Sequence, residues 1–395
     1  MAEEAARPAT IAVAGAEFGW GSAGKLAAIL DELRERHGER VRFLGLNSTL
    51  GRPVLARAGV DDWVHAPAGN PEGLRVLLRA HRVAAAVIVL DAELAAEVEE
   101  AGCPVVYADS LPFLWTGHEP VPSRVHAYCA QLCPALPSHC WPTLRGIESL
   151  HWVGPITGLR QTVAGEAKPG KAVVNVGGLR SPFSVAGDEA YLDLVLTPAL
   201  TALEKAGFDH VVVAGNLDPA GLSRRLSESS TLSVSGGRLD RGDFLEELRT
   251  AELVLTSPGR TTLLELAALD QRAVVLPPQN ISQTVNAQDV ADLVEPGVVV
   301  RWPVGVLDPA ELAARRELGE EEAVRYMYAR FAATTPSDCA TEIGEALSTA
   351  IRLAQRIRMA PFSGSDGRDG AVQIADLVDP LIQQATAALS GVPQP

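Results

Sequence analysis

Short apolar runs recur through the first 160 residues, each followed by a stretch whose apolar positions repeat every three or four residues. "TIAVAGA", "VRFLGL", "AAAVIVLD" and "CPVVYAD" are β-branched runs that end in small or acidic residues. They read as strands buried on both faces. Between them "SAGKLAAILDELRERH", "PEGLRVLLRAH" and "AELAAEVEEAG" carry the helical period. Strands alternating with helices of this length predict βαβ units and a parallel sheet. Residues 111–147 break the pattern with turn formers and aromatics and no clear period, and "HWVGPITGL" then reads as a last strand leaving the domain.

The alternation restarts after the polar stretch "RQTVAGEAKPGK" at 160–171. "AVVNVGGL", "DHVVVAG", "LSVSGG", "AELVLTSPG" and "RAVVLPP" are the strands of this second series, with helical patterns between them. Two alternating series predict two Rossmann-like sheets. The expected division is 1–159 as a first domain, 160–171 as linker, 172–350 as a second domain, and 351–395 as a helical segment packing back on the first.

At 395 residues the chain is long enough for two cores. A net charge of -15 argues against a nucleic-acid footprint or an anionic membrane surface. No apolar run reaches the length of a membrane span, and the acidic "MAEEAARPAT" lacks the basic start of a signal peptide, so a cytoplasmic protein is expected. Cys103, Cys129, Cys133, Cys140 and Cys339 are odd in number and irregularly spaced, which predicts reduced thiols. Cys129 and Cys133 are read as sharing a helix face, and no metal site is expected.

The loop "GAEFGWGSAGKL" follows the first strand. Gly19, Gly24 and Lys25 fit the start of a triphosphate loop, yet Leu26 stands where a magnesium-holding Ser or Thr belongs. Leu26, Ile29, Leu30 and Leu33 instead form an apolar helical face. Gly19, Gly21 and Gly24 also fit a dinucleotide fingerprint, but Asn47 rather than an acid ends the second strand. What survives is a tight turn that brings a ligand close to a helix N-terminus.

The stretch "LVLTSPGRTTLLELAALDQRAVVLPPQNISQTVNAQ" carries the most chemistry. A strand ends at Thr256, Ser257 to Gly259 turn sharply, and Arg260 opens a helix whose N–H groups suit a diphosphate. Glu265, one turn on, either closes a capping box or accepts hydrogen bonds from a ribose diol. Gln279, Asn280, Gln283, Asn286 and Gln288 are amides that suit sugar hydroxyls or merely form solvated turns.

In order, these pieces resemble the nucleotide-sugar lobe of GT-B glycosyltransferases. The opening glycine loop, "HWVGPI" and "VNVGG" resemble the acceptor-side loop, the strand before the linker and the first strand of the donor lobe. The resemblance implies two Rossmann-like parallel-sheet domains with a cleft between them and a C-terminal helix crossing back. By position it assigns UDP to Gly178, Ser257, Gly259, Arg260, Thr261 and Glu265, and the sugar to Gln283 and Asn286. "VYADSLPFLWT" and "TSPGRTTLLELA" are more narrowly similar to cytosylglucuronate and hydroxymethylcytosylglucuronate synthases of nucleoside-antibiotic pathways. Those enzymes join a free pyrimidine to glucuronate from UDP-glucuronate with inversion. Trp20 stands where many GT-B enzymes have histidine, which favours an aromatic plate for a flat acceptor.

An inverting transfer at cytosine N1 also needs a base. Glu17, Asp91 and Asp109 end three strands, and His118 lies in the irregular segment. Asp109 is ranked first, Glu17 second and His118 third, each acid being equally readable as a cap. Gly19, Trp20, Gly21 and Trp115 are the expected acceptor contacts. Arg180 is the expected cation for a uronate carboxylate. No cofactor or metal is expected beside the UDP-sugar. Partners are the donor and a small pyrimidine, with neither nucleic acid nor membrane, and a homodimer remains open. The other readings are a GT-B enzyme for a different UDP- or dTDP-sugar with a natural-product acceptor, and a non-catalytic protein of the same fold.

Overall fold

The computed structural model describes residues 8–115, 117, 120–159, 165–180, 187–226, 231–363 and 368–390. The chain divides into two compact units, Met1–Arg160 with Gly364–Pro395, and Gln161–Ser363.

In chain order the first unit holds β1 (Ala9–Gly15), α1 (Gly21–His37), β2 (Val41–Leu46), α2 (Arg52–Arg57), β3 (Asp62–Val64), α3 (Pro71–Ala80) and β4 (Val83–Val89). It continues with α4 (Ala92–Glu100), β5 (Val105–Asp109), β6 (Ala127–Gln131), α5 (Trp141–Arg145) and β7 (Leu150–Val153). The seven strands form one parallel sheet in the order β3-β2-β1-β4-β5-β6-β7. The order reverses between β1 and β4. In sheets of this kind the crevice at the carboxyl ends of such a pair takes the ligand.

The described residues of 111–147 are more regular than their sequence suggests. "AYCAQ" is β6, an interior strand in which every residue is buried. It is too short and too mixed in character for its period to stand out. Cys129 therefore lies on a strand, correcting the expected shared helix face, and Cys133 falls beyond its end. The short edge strand β3 has no apolar run to announce it.

Leu26, Ile29, Leu30 and Leu33 of α1 are fully buried against one face of the sheet. The same core takes Ala371, Ile374, Ala375, Val378 and Ile382 from the last helix, which runs Gly370–Ser390. Its attachment is polar as well. Arg36 of α1 bonds Glu32, Asp376 and Asp379 at 2.6–2.8 Å, and Thr157 donates to Asp369 at 2.6 Å. Gly154 and Gly370 cross so closely that a Cβ on either would lie within about 2.2 Å of backbone oxygen.

The second unit begins at β8 (Lys171–Gly177), so Lys171 belongs to a strand and not to the linker. Its amine is buried between Thr250 and Glu247. There follow α6 (Gly187–Lys205), β9 (His210–Gly215), α7 (Pro219–Ser223), β10 (Ser233–Gly237), α8 (Arg241–Thr250), β11 (Leu253–Thr256) and α9 (Arg260–Ala268). After these come β12 (Ala273–Val275), α10 (Ile281–Leu293), α11 (Pro309–Arg316), α12 (Glu320–Ala333) and α13 (Pro336–Ala354). We number the last helix, in the first unit, α14. The parallel order is β10-β9-β8-β11-β12, with its reversal between β8 and β11. The expected boundary at 351 falls inside α13, which packs on α6. The chain leaves the second unit only after Ser363.

Candidate functional site

Both reversal points carry the residues that the sequence singles out. In the second unit, β8 ends in Gly177 at φ +70, where only glycine is relaxed, and the Ser257 hydroxyl lies 3.0 Å from where its Cβ would be. Leu179, two residues on, holds φ +58, a left-handed conformation that a leucine adopts only under constraint. Arg180 follows it and is exposed. Asn175 interrupts the apolar run of β8. It donates to Thr256 and Thr262, at 3.0 and 3.3 Å, and accepts from Gly177 N–H, tying the two strand ends together. A buried asparagine inside a β-branched run is the signal that could have revealed it.

The turn Ser257–Gly259 leads into α9 with no side-chain cap at its N-terminus. An added Cβ at Gly259 would meet nothing within 4 Å, and its φ of -68 is open to any residue. Glycine here answers to neither backbone strain nor packing, and it leaves space in front of the uncapped N–H groups. Because the N-cap is Gly259, Glu265 stands well inside the helix, so the capping-box reading of Glu265 is excluded. Its carboxylate is 4% exposed and lies 3.5 Å from Arg241 Nη2, a partner at the start of α8 that the sequence did not offer.

Three expected donor contacts turn inward. Arg260 is ion-paired with Asp289 at 3.1 Å, bonded to Asn286 at 3.4 Å and stacked on Phe362. Its Nη1 is thus engaged by two residues of α10, and its guanidinium lies over the Phe362 ring. Burial raises the Asp289 carboxyl although Arg260 pulls it down, and removing either member of such a pair costs about 3–5 kcal/mol. Asn286 donates to Pro258 O at 2.9 Å, and Gln283 accepts from Gln279 N–H at 2.9 Å. Gln279 in turn donates to Val176 O at 2.7 Å. These buried amides brace the turn instead of standing free. Thr261 shares the Glu265 side of α9, at helical i, i+4 spacing, and is half-buried.

At the reversal point of the first unit, Glu17 follows β1 and Asp91 follows β4, and Ala16 N–H bonds Val89 O across the gap. Gly19 takes φ +63, Gly21 opens α1, and Trp20 donates its indole N–H to Leu50 O at 3.1 Å. Glu17 accepts from Thr49 N–H, Thr49 hydroxyl and Leu50 N–H at 2.6–3.0 Å. Burial alone would raise its carboxyl, yet these bonds hold it below the usual range. Glu17 is thus a clamp on the β2–α2 loop, with both oxygens engaged.

Asp109 is fully buried and accepts from Leu111 N–H, Trp115 Nε1–H and Tyr128 O–H at 2.9, 2.7 and 2.6 Å. Burial raises its carboxyl. It fixes Trp115, but neither oxygen is open to a ligand, which contradicts its first rank as base. Asp91 is different. It is half-buried, and among the described residues its carboxylate accepts one hydrogen bond, from Leu94 N–H to Oδ1 at 3.2 Å. Burial, with Glu93, Glu97 and Glu17 nearby, raises its carboxyl above the ordinary aspartate range. Leu90 before it is strained at φ +63. His118 lies outside the described residues. Among the described residues no group of three His, Cys, Asp or Glu is gathered as a metal set. No described helix is long and apolar enough to cross a membrane.

No family model matches the chain, and no curated protein matches it. Solved structures do. The glycotransferase of kitacinnamycin superposes with a TM-score of 0.52 at 15% identity, covering 95% of this chain and 100% of that one. A UDP-glucosyltransferase from Polygonum tinctorium, capable of glucosylating indoxyl, gives 0.52 at 16% identity over 96% and 99%. A Listeria monocytogenes protein described as a UDP-N-acetylglucosamine 2-epimerase gives 0.51 at 11% over 98% of both. With its parallel sheets of seven and five strands, the chain has the GT-B fold. At these identities the likeness establishes architecture alone.

Proposed function

We propose that the chain is an inverting, UDP-sugar-dependent glycosyltransferase that moves glucuronate to N1 of cytosine or a substituted cytosine. The observation that carries the reading is the uncapped, unobstructed start of α9 with the buried Glu265 a turn and a half behind it. A helix N-terminus attracts a diphosphate, and a carboxylate at that remove matches the hydroxyls of the attached pentose. The named activities of the fold's neighbours, a glycotransferase and a UDP-glucosyltransferase, support the class. Glucuronate and cytosine rest on the motif resemblance.

In this reading the N–H groups of Gly259 to Thr261 hold the diphosphate and stabilise it as it leaves, without a metal. Arg180, exposed beside the strained Leu179, faces the uronate. Trp20, pinned by Leu50, gives the pyrimidine a flat surface. N1 of cytosine attacks the anomeric carbon, the bond to the diphosphate oxygen breaks, and UDP departs. The N1 proton passes to Asp91. Of the three strand-end acids, Asp91 alone combines partial exposure with a raised carboxyl, and a base works best when its pKa approaches the working pH.

UDP release from UDP-glucuronate, measured with and without cytosine, tests the reading. Release that depends on cytosine is expected. Release only with another UDP- or dTDP-sugar moves the protein to a different transfer, and UDP binding without any turnover makes it a non-catalytic member of the fold.

A further inference from the structure

We infer that Asn175 is a positioning residue that latches the turn after β8 to the first turn of α9, so that a ligand held at the start of α9 also orders the chain at residues 177–180. The inference rests on the nucleotide reading above and adds a mechanical link between two stretches of backbone.

β8 and β11 lie side by side, and their paired residues end at Asn175 and Thr256. One more backbone bond follows, from Ser257 N–H to Asn175 O at 2.8 Å. There the two chains part, one into the left-handed Gly177 and the other towards α9. The Asn175 side chain spans the gap. Its Oδ1 accepts from Gly177 N–H at 3.1 Å, while its Nδ2 donates to Thr256 Oγ1 at 3.0 Å and Thr262 Oγ1 at 3.3 Å. Thr262 is the third residue of α9. A carboxylate cannot make both donations and a hydroxyl has a single proton, so an amide is what this junction needs. Asn175 is buried, and a bond lost here is not readily replaced by one to water.

The stretch on one side of the latch is strained. Leu179 holds φ +58, and a left-handed leucine persists only where its surroundings fix it. Gly177 is gripped twice, its N–H by Asn175 and its carbonyl by Asn216 N–H at 3.0 Å. On the other side, the N-terminus of α9 has no side-chain cap. A ligand there stiffens the first turn of the helix, Thr262 included, and the amide carries that order to Gly177. Coupling of this kind is reciprocal. By whatever factor the ligand quiets the turn, an ordered turn tightens the ligand.

The experiment is hydrogen–deuterium exchange on the full chain with and without saturating UDP, with calorimetric UDP affinity measured in parallel. It compares wild type, Asn175→Ala and Thr262→Val. Thr262→Val keeps the side-chain shape and cuts only the α9 arm of the latch, so the test stands even if Asn175→Ala folds poorly. In wild type, UDP is expected to slow exchange at the start of α9. It should also slow residues 177–180 by about three- to tenfold, the worth of one or two neutral hydrogen bonds. In both variants the slowing at α9 remains, while that at 177–180 falls below about twofold and UDP binds about three- to tenfold more weakly. An amide that merely supports the fold, or a turn that UDP touches directly, leaves the slowing at 177–180 in place in both variants. That pattern, or a wild-type effect confined to α9, overturns the latch and leaves nucleotide binding intact. UDP that slows neither stretch in wild type overturns the nucleotide reading and this inference with it.

Discussion

Three carboxylates end adjacent parallel strands of the first unit, and their surroundings set them to three tasks. Glu17 spends both oxygens on the β2–α2 loop, Asp109 spends its own on Trp115, Tyr128 and Leu111, and Asp91 keeps an oxygen in reserve. Sequence could place all three at strand ends but could not rank them. The ranking depends on which N–H and O–H groups the loops deliver. Those groups come from residues 2 to 33 positions away. Asp91→Asn keeps the cap on α4 and removes the proton acceptor, so kcat should fall by about 10²- to 10⁴-fold. The fold should not suffer. A raised carboxyl means that the folded state holds the proton more tightly than the unfolded chain. The stability this group confers is therefore present at low pH and lost as pH rises through its folded value. At neutral pH the amide should melt no lower than wild type in a thermal scan, and the activity of wild type should decline on the acid side above the usual carboxylate range. Asp91→Asn with full turnover rules out the assignment.

At the scale of elements, the strands and helices flanking the two reversal points were legible from their β-branched runs and their helical spacing of apolar positions. β3 and β6 were not, since one exposed and two half-buried residues, and five of mixed character, carry no periodic signature. The α9 turn shows how far a motif can be trusted. Its shape and its glycine were readable. The fate of the Arg260 side chain was decided by Asp289 and Phe362, residues 29 and 102 positions away, which no local pattern reveals. Gly259 isolates the function of this element from its stability. Gly259→Ala puts one methyl into open space at a φ that alanine accepts. Melting temperature should stay within the span of a surface change, about 0.5 kcal/mol, while UDP affinity drops by about tenfold or more as the methyl meets the diphosphate. Equal UDP affinity in the two proteins counts against a ligand at this helix end.

Across the whole molecule, two units of like design divide the chain. The first is completed by α14 after the chain has built the second, and charge joins burial in fixing that helix, through Arg36, Asp376 and Asp379. Division of the chain was visible in its restarted alternation. The exact return point was not, because α13 continues an amphipathic pattern through residue 351 while packing on α6. Two separate cores also mean that a nucleotide bound at α9 stabilises the second unit directly. The most direct measurement is the melting temperature of that unit with and without UDP, in wild type and Glu265→Gln. At about a hundredfold excess over the dissociation constant, UDP should add about 2.7 kcal/mol, a rise of about 5–10 °C. At the same UDP concentration, Glu265→Gln should show about half that rise or less, having lost a charge-assisted bond. No rise in wild type, or the same rise in both proteins, contradicts the placement of a nucleoside diphosphate between the start of α9 and Glu265.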